Sequence, residues 1–258
     1  MPARKRFSLP FLIPLFLACT ALLTASAWCL GGTPLGRARA VPYGEGYDAE
    51  DVAAEGTVRH FSCVVIDAGH GGEDGGASSA SGVVEKEVNL EVAFALRDLF
   101  EAAGMPVVMT RTEDRLLYDR NVDFQGRKKV LDLAARRIVA ERTAEAAAED
   151  GVCLFVSIHM NAFPAPQYSG MQVWYGAGDP LSAEVAESIQ SASVALMPDN
   201  HRKIKAAGSN IYLLDRIKTP AVLVECGFLS NPEEAERLSR EDYRRALAGV
   251  VFAGVMGE

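Results

Sequence analysis

Val64-Val65-Ile66-Asp67-Ala68-Gly69-His70-Gly71-Gly72, residues 64–72, is the stretch on which the reading of the fold turns. Its first half is apolar and β-branched without interruption, the pattern of a strand buried on both faces. Its second half surrounds a histidine with glycines, so the chain leaves the strand on a short, sharply turning loop that presents an imidazole at the strand's carboxyl end. Working outward, Glu85 to Ala103 places Val88, Val92, Leu96, Leu99 and Phe100 near helical spacing. Pro106-Val107-Val108-Met109 reads as a second strand, Arg127 to Glu149 as a long helix, Cys153 to Ile158 as a third strand and Met171 to Tyr175 as a fourth. Asp179 to Met197 is helical, and Pro220-Ala221-Val222-Leu223-Val224 is a fifth strand before a helical tail. Apolar strands alternating with helices predict an α/β fold: a single domain on a twisted, mostly parallel sheet of about five to six strands, with helices on both faces. No internal repeat is visible.

The bulk properties agree. A chain of 258 residues, 49% hydrophobic and 23% charged, has apolar material for one sizeable core and is not a disordered polymer. Its 34 acidic residues outnumber 26 basic ones, which argues against nucleic acid as a partner. Arg4, Lys5 and Arg6 precede an uncharged, largely apolar run from Phe7 to Leu30. Residues 1–30 therefore read as an export signal, removed after the small-x-small Ala25-Ser26-Ala27 or kept as a membrane anchor, since a span needs roughly 20 residues. Phe16 stands where a lipoprotein signal would carry a smaller aliphatic residue before Cys19. Residues 31–60, rich in Gly, Pro, Ala and acidic side chains, read as a tether, and 61–258 as the folded domain. Of five cysteines, Cys63, Cys153 and Cys226 fall in the body, beside or within apolar runs, and are expected to be core. They are odd in number and lack the paired spacing of a Cys-rich zinc site.

The polar residues on the strands are the informative ones. His70 lies just past the first strand, His159 ends the third and Glu225 follows the fifth, so groups from distant sequence converge on the carboxyl edge where open parallel sheets bind ligands. Two histidines and one carboxylate are the usual protein share of a catalytic zinc site, with a fourth position for water. Glu85, opening the first helix directly after the His70 loop, is the better-placed ligand. Glu225 is then the general base that takes a proton from the attacking water and hands it to the departing amine. Blander readings stand beside these. A lone histidine after a strand is usually a surface residue, and Glu85 could simply be a favourable helix-start charge. Glu225 among apolar neighbours is harder to dismiss, because a buried carboxylate is costly. His60 and His201 lack strand-end placement and read as solvent or structural residues. Asp67 is either a partner orienting His70 or a turn residue. Ser157 has no nucleophile-elbow setting. Glu73, three residues after His70, leaves a His-x-x-Glu ligand pair of the zinc exopeptidase kind open.

At these residues the chain resembles a known family. Ile66 to Gly72, Glu85 to Leu90, Thr110-Arg111, Ser157 to Asn161, Gly170 to Val173 and Val224 to Pro232 are similar, in order, to the zinc-dependent N-acetylmuramoyl-L-alanine amidases, over about residues 61 to 257. The resemblance implies one zinc ion held by His70, Glu85 and His159, with Glu225 catalytic. It implies peptidoglycan as substrate, cut between the lactyl group of N-acetylmuramic acid and L-alanine, an unactivated amide for which a metal is needed. Leu116-Leu117-Tyr118-Asp119, Gly126-Arg127-Lys128-Lys129 with Asp132-Leu133 and Arg136, and Asn210 to Leu214 resemble the germination-specific, single-domain type that helps make muramic-δ-lactam in spore cortex. The chain departs from the family in a lengthened loop before the second histidine and in having no wall-binding repeats. The stretch between His159 and Glu225 is too short for a large autoinhibitory helical insert, so control would come from an accessory protein or from expression. The implied setting is extracytoplasmic, with membrane contact only through the N-terminal segment. Competing readings are a vegetative or division amidase, a zinc carboxypeptidase-like exopeptidase, a non-catalytic wall-binding module, and a serine or cysteine hydrolase indifferent to chelators.

Overall fold

The computed structural model describes residues 60–118, 121 and 126–257. The expected leader, the tether up to residue 59, and Asp119 lie outside the described residues. Six strands form one sheet: β1 (Cys63–Ala68), β2 (Val107–Met109), β3 (Cys153–Asn161), β4 (Gln172–Tyr175), β5 (Lys205–Ala206) and β6 (Ala221–Phe228). Their order is β2-β1-β3-β6-β4-β5. All neighbours run parallel except β4, which turns back against β6. The mostly parallel α/β expectation therefore holds. Between the strands lie α1 (Glu85–Ala102), α2 (Lys128–Ala146), α3 (Pro180–Leu196) and α4 (Tyr212–Arg216), and α5 (Pro232–Leu238) and α6 (Glu241–Met256) follow β6.

Both faces of the sheet are buried, which is why its strands read as unbroken apolar runs. Alternation sends Val64, Ile66, Leu154, Val156, Ile158, Val222 and Val224 to one face, against Val92 and Leu96 of α1, Ile189 of α3 and Leu247 and Val251 of α6. Cys63, Val65, Cys153, Phe155, Ala221 and Leu223 go to the other, against Ala140 of α2 and Leu213 and Leu214 of α4. Cys63, Cys153 and Cys226 are free and buried, as expected of core residues. Two helices start on strong local signals. Asp179 accepts the Leu181 N–H ahead of Pro180, and Asn231 accepts the N–H groups of Glu233 and Glu234 ahead of Pro232.

The structure shifts two strand ends. β3 continues past His159 to Asn161, and β6 continues past Glu225 to Phe228, so both residues sit inside strands instead of at or after their ends. They are direct neighbours, His159 opposite Glu225, just before the register shifts between His159 and Asn161. By strand alternation both continue the row that faces α2. Among the described residues, no helix is long and apolar enough to cross a membrane.

Candidate metal centre

The centre begins with a strained residue. His70 has φ 62°, and no other non-glycine described residue has positive φ. A left-handed histidine costs on the order of 1–3 kcal/mol and persists only where its surroundings fix it. Two buried arginines do so. Arg111 donates to the carbonyls of Ala68 (2.8 Å) and Gly69 (3.0 Å), and Arg136 to those of Ala68 (2.8 Å) and His70 (2.6 Å). Asn89 adds a bond from Nδ2 to the Gly69 carbonyl at 3.1 Å. Every carbonyl on the approach to the imidazole is thus held by a side chain.

Arg136 is itself fixed by carboxylates. It meets Asp67 Oδ1 and Asp132 Oδ2, each at 2.7 Å. Asp67 also accepts from the hydroxyls of Thr110 and Ser157 at 2.7 Å each. Burial would raise the Asp67 pKa, but the Arg136 guanidinium and those hydroxyls outweigh it and hold the carboxyl below its usual range. Neither sequence reading of Asp67 describes this: it is a strand residue that reaches His70 only through Arg136. The carboxylate beside the ring is Asp74, whose Oδ2 is 3.0 Å from His70 Nδ1. Ser157 is buried and committed to Asp67, away from any nucleophile's position.

Glu85 is the first residue of α1, and its carboxylate lies between the two imidazoles. Oε1 is 3.1 Å from His70 Nε2 and 3.1 Å from His159 Nδ1. The backbone N–H of Ala77 donates to Oε2 at 2.7 Å and that of Met160 to Oε1 at 3.1 Å. The rings stand edge to face, centroids 5.0 Å apart. Glycine makes this approach possible at two points: a Cβ on Gly69 would lie 2.2 Å from the His159 ring, and one on Gly76 would lie 2.5 Å from Glu85 Oε2. Burial would raise the Glu85 pKa, but its bonds to His159 and His70 hold the carboxyl well below the carboxylate range. Burial lowers the His70 pKa, yet the bond to Glu85 and the charges of Glu85 and Asp74 leave it raised.

These three residues offer ligand atoms that all lie within 4.8 Å of one another, the one such group among the described residues. Donors about 2.1 Å from one tetrahedral zinc ion would sit roughly 3.4 Å apart, so the 3.1 Å separations on either side of Glu85 fit a shared ion. Glu73 is not in the group. Its carboxylate is bound to Lys128 Nζ at 2.7 and 2.8 Å on the surface. His60 and His201 are exposed and lie outside the group.

Glu225 lies beside His159 on the adjacent strand. Its Oε2 is buried and finds no hydrogen-bond partner. Burial pushes its pKa up to about 7, with His159 drawing it down and the charge of Glu85 pushing it further up. A carboxyl group at that value can both take and give a proton near neutral pH. Two parts of the centre escaped the sequence reading as site residues. Asp74 is marked in the sequence only by its place four residues after His70, and Asp132 and Arg136 stand there as marks resembling the germination-specific type, with nothing in their spacing to show that they are buried against the centre.

Residues 64–256 match the family described as N-acetylmuramoyl-L-alanine amidase. The germination-specific N-acetylmuramoyl-L-alanine amidase of Bacillus subtilis is 36% identical over 194 residues, covering 75% of this chain and 78% of that protein. Among solved structures, the CwlD amidase from Clostridioides difficile, in complex with the GerS lipoprotein, superposes with a TM-score of 0.67 at 34% identity, over 75% of this chain and 96% of that one. The amidase AmiC2 of Nostoc punctiforme gives 0.59 at 28% identity, over 75% and 94%. The match runs from β1 to α6 and includes every element that supplies the centre: this chain belongs to the N-acetylmuramoyl-L-alanine amidase family.

Proposed function

We propose that this amidase works with one zinc ion held by His70, Glu85 and His159, and that Glu225 is its catalytic acid and base. One observation carries the reading: an orphaned, buried carboxylate with its pKa pushed to about 7 stands beside the group of metal-competent side chains His70, Glu85 and His159. When bound, zinc supplies Lewis acidity, bringing the pKa of a coordinated water down to about 7 and polarising the scissile carbonyl. The protein's own residues do the rest. The Ala77 and Met160 N–H groups fix the orientation of Glu85, and the Asp74 carboxylate lies 3.0 Å from Nδ1 of the His70 ring, so the donors need little rearrangement. Glu225 takes the proton of the attacking water and passes it to the leaving nitrogen of L-alanine, which cannot depart as an anion. Glu73, held by Lys128, takes no part, which disfavours an exopeptidase-like ligand pair.

The bond cut is the amide between the lactyl group of N-acetylmuramic acid and L-alanine in peptidoglycan. A role in spore-cortex maturation and germination is supported by the germination-specific relative and by the sequence marks at residues 116–119, 126–136 and 210–214. The CwlD structure with a lipoprotein supports an accessory protein. Residues 1–30 export the chain, by cleavage or as an anchor, and residues 31–60 tether the domain 61–258.

Mass spectrometry of purified cell wall digested by the zinc-loaded enzyme tests the reaction. Peptides with free N-terminal alanine and peptide-free muramic acid are expected together. Glu225→Ala should retain stoichiometric zinc and release neither product, whereas His159→Ala should lose the metal as well. Full cleavage by Glu225→Ala would refute the assignment.

A further inference from the structure

The loop that follows β3 carries an unusual surface. Residues 162–170, Ala-Phe-Pro-Ala-Pro-Gln-Tyr-Ser-Gly, contain no charge. Phe163 and Tyr168 are among the few large apolar side chains left exposed, at 51% and 42%. They are not loose. Their rings meet edge to face with centroids 5.0 Å apart, and Tyr168 is stacked at 6.3 Å over Phe228, the last residue of β6. The Arg202 guanidinium covers Phe228 at 4.5 Å, and its Nε donates to the Ser169 carbonyl at 2.7 Å. The Phe163 N–H donates to Ser230 Oγ at 3.0 Å. The position matters as much as the chemistry. Asn161, opposite Phe228, is two residues beyond the His159–Glu225 pair, about 7 Å along the strands.

We propose that Phe163 and Tyr168 form a platform for the pyranose rings of the glycan strand. The inference rests on the amidase reading of the centre. In that substrate, three bonds, at most about 4.5 Å of covalent chain, separate the muramic ring from the attacked carbonyl. The sugars are thereby confined to the surface immediately around the metal donors, within reach of this loop. A pyranose presents a face of C–H groups, which suits the electron-rich face of an aromatic ring. The glycan backbone of the substrate is neutral, as residues 162–170 are, and the Arg202 guanidinium beside them is engaged by the Ser169 carbonyl and the Phe228 face. Rings held in advance by Phe228 and Arg202 lose little freedom when a sugar stacks on them.

The test compares two substrates with the same stem peptide, a disaccharide and a longer glycan. In the Phe163→Ala/Tyr168→Ala enzyme, the ratio of kcat/KM for the longer over the shorter is expected to fall about tenfold relative to the parent, and a Tyr168→Trp enzyme should keep the parental ratio. Calorimetric titration with a peptide-free tetrasaccharide should show a matching loss of affinity in the double variant. Because it needs no turnover, this arm separates the two ideas: binding that depends on the rings in a parent that releases no alanine would sustain the platform and sink the amidase reading. A ratio and an affinity within twofold of the parent would overturn the platform, and would assign the patch to the stem peptide or to a protein partner.

Discussion

Glu225 shows at the level of one side chain how a site costs stability. Its carboxyl is held at about 7 in the folded protein, against an ordinary value of 4.5, because burial disfavours the charged form. A raised carboxyl pKa means that folding favours the proton. Stability is therefore undiminished below about pH 4.5, falls as pH rises through 7, and is lowest above that, by up to about 3 kcal/mol. In the metal-free protein, Glu225→Gln should be more stable than the parent by a few kcal/mol at pH 8 and level with it near pH 4.5. Urea unfolding at both values checks this, and an equal difference at both would show that Glu225 is not strained by its charge. The residue was legible in the sequence because a carboxylate among Val, Cys and Phe has few inert explanations. Glu85 was less so, since a helix-start acid is common, and only its contacts with both imidazoles separate it from Glu73.

At the level of elements, α2 serves the centre without contributing a ligand. Arg136 ties α2 to the end of β1 through Asp67 and to the loop beyond through the His70 carbonyl. Asp67 and Arg136 are fully buried, so removing either strands a charge, at a cost of about 3–5 kcal/mol. Arg136→Met and Asp67→Asn should each destabilise by that order, and the double variant by clearly less than their sum. Additive losses in thermal or urea unfolding would mean that the pair is not the unit described. Strands and long helices were readable because both faces of the sheet are buried and the helices are periodic. Two elements were not. β5 has two residues and α4 five, too few for any period to register. The ends of β3 and β6 were misjudged because polar His159 and Glu225 look like strand exits, yet strand hydrogen bonding continues through them to place both on one face.

At the scale of the whole molecule, the sequence order hides the site: residues 70, 85, 159 and 225 meet at one rim only because β1, β3 and β6 are adjacent in the sheet. That adjacency follows from parallel pairing, so the alternation of strand and helix anticipated the rim, though not which neighbours would share it. The buried arginine scaffold left no periodic trace, and only its hydrogen bonds define it. Residues 1–30 should direct export. Expressed in a bacterial host, the full chain should be found on the outer side of the cytoplasmic membrane, with its N-terminus either beginning at Trp28 or intact, as N-terminal sequencing will tell. Retention in the cytoplasm would contradict the export reading.

The proposed chemistry stands only if His70, Glu85 and His159 grip one zinc ion. Diffraction at the zinc absorption edge from zinc-loaded crystals tests it directly. A single strong anomalous peak is expected about 2.0–2.2 Å from His70 Nε2, His159 Nδ1 and a Glu85 oxygen, with Glu73 still on Lys128. No peak between those atoms, or a peak coordinated by Glu73 in place of Glu85, would contradict it.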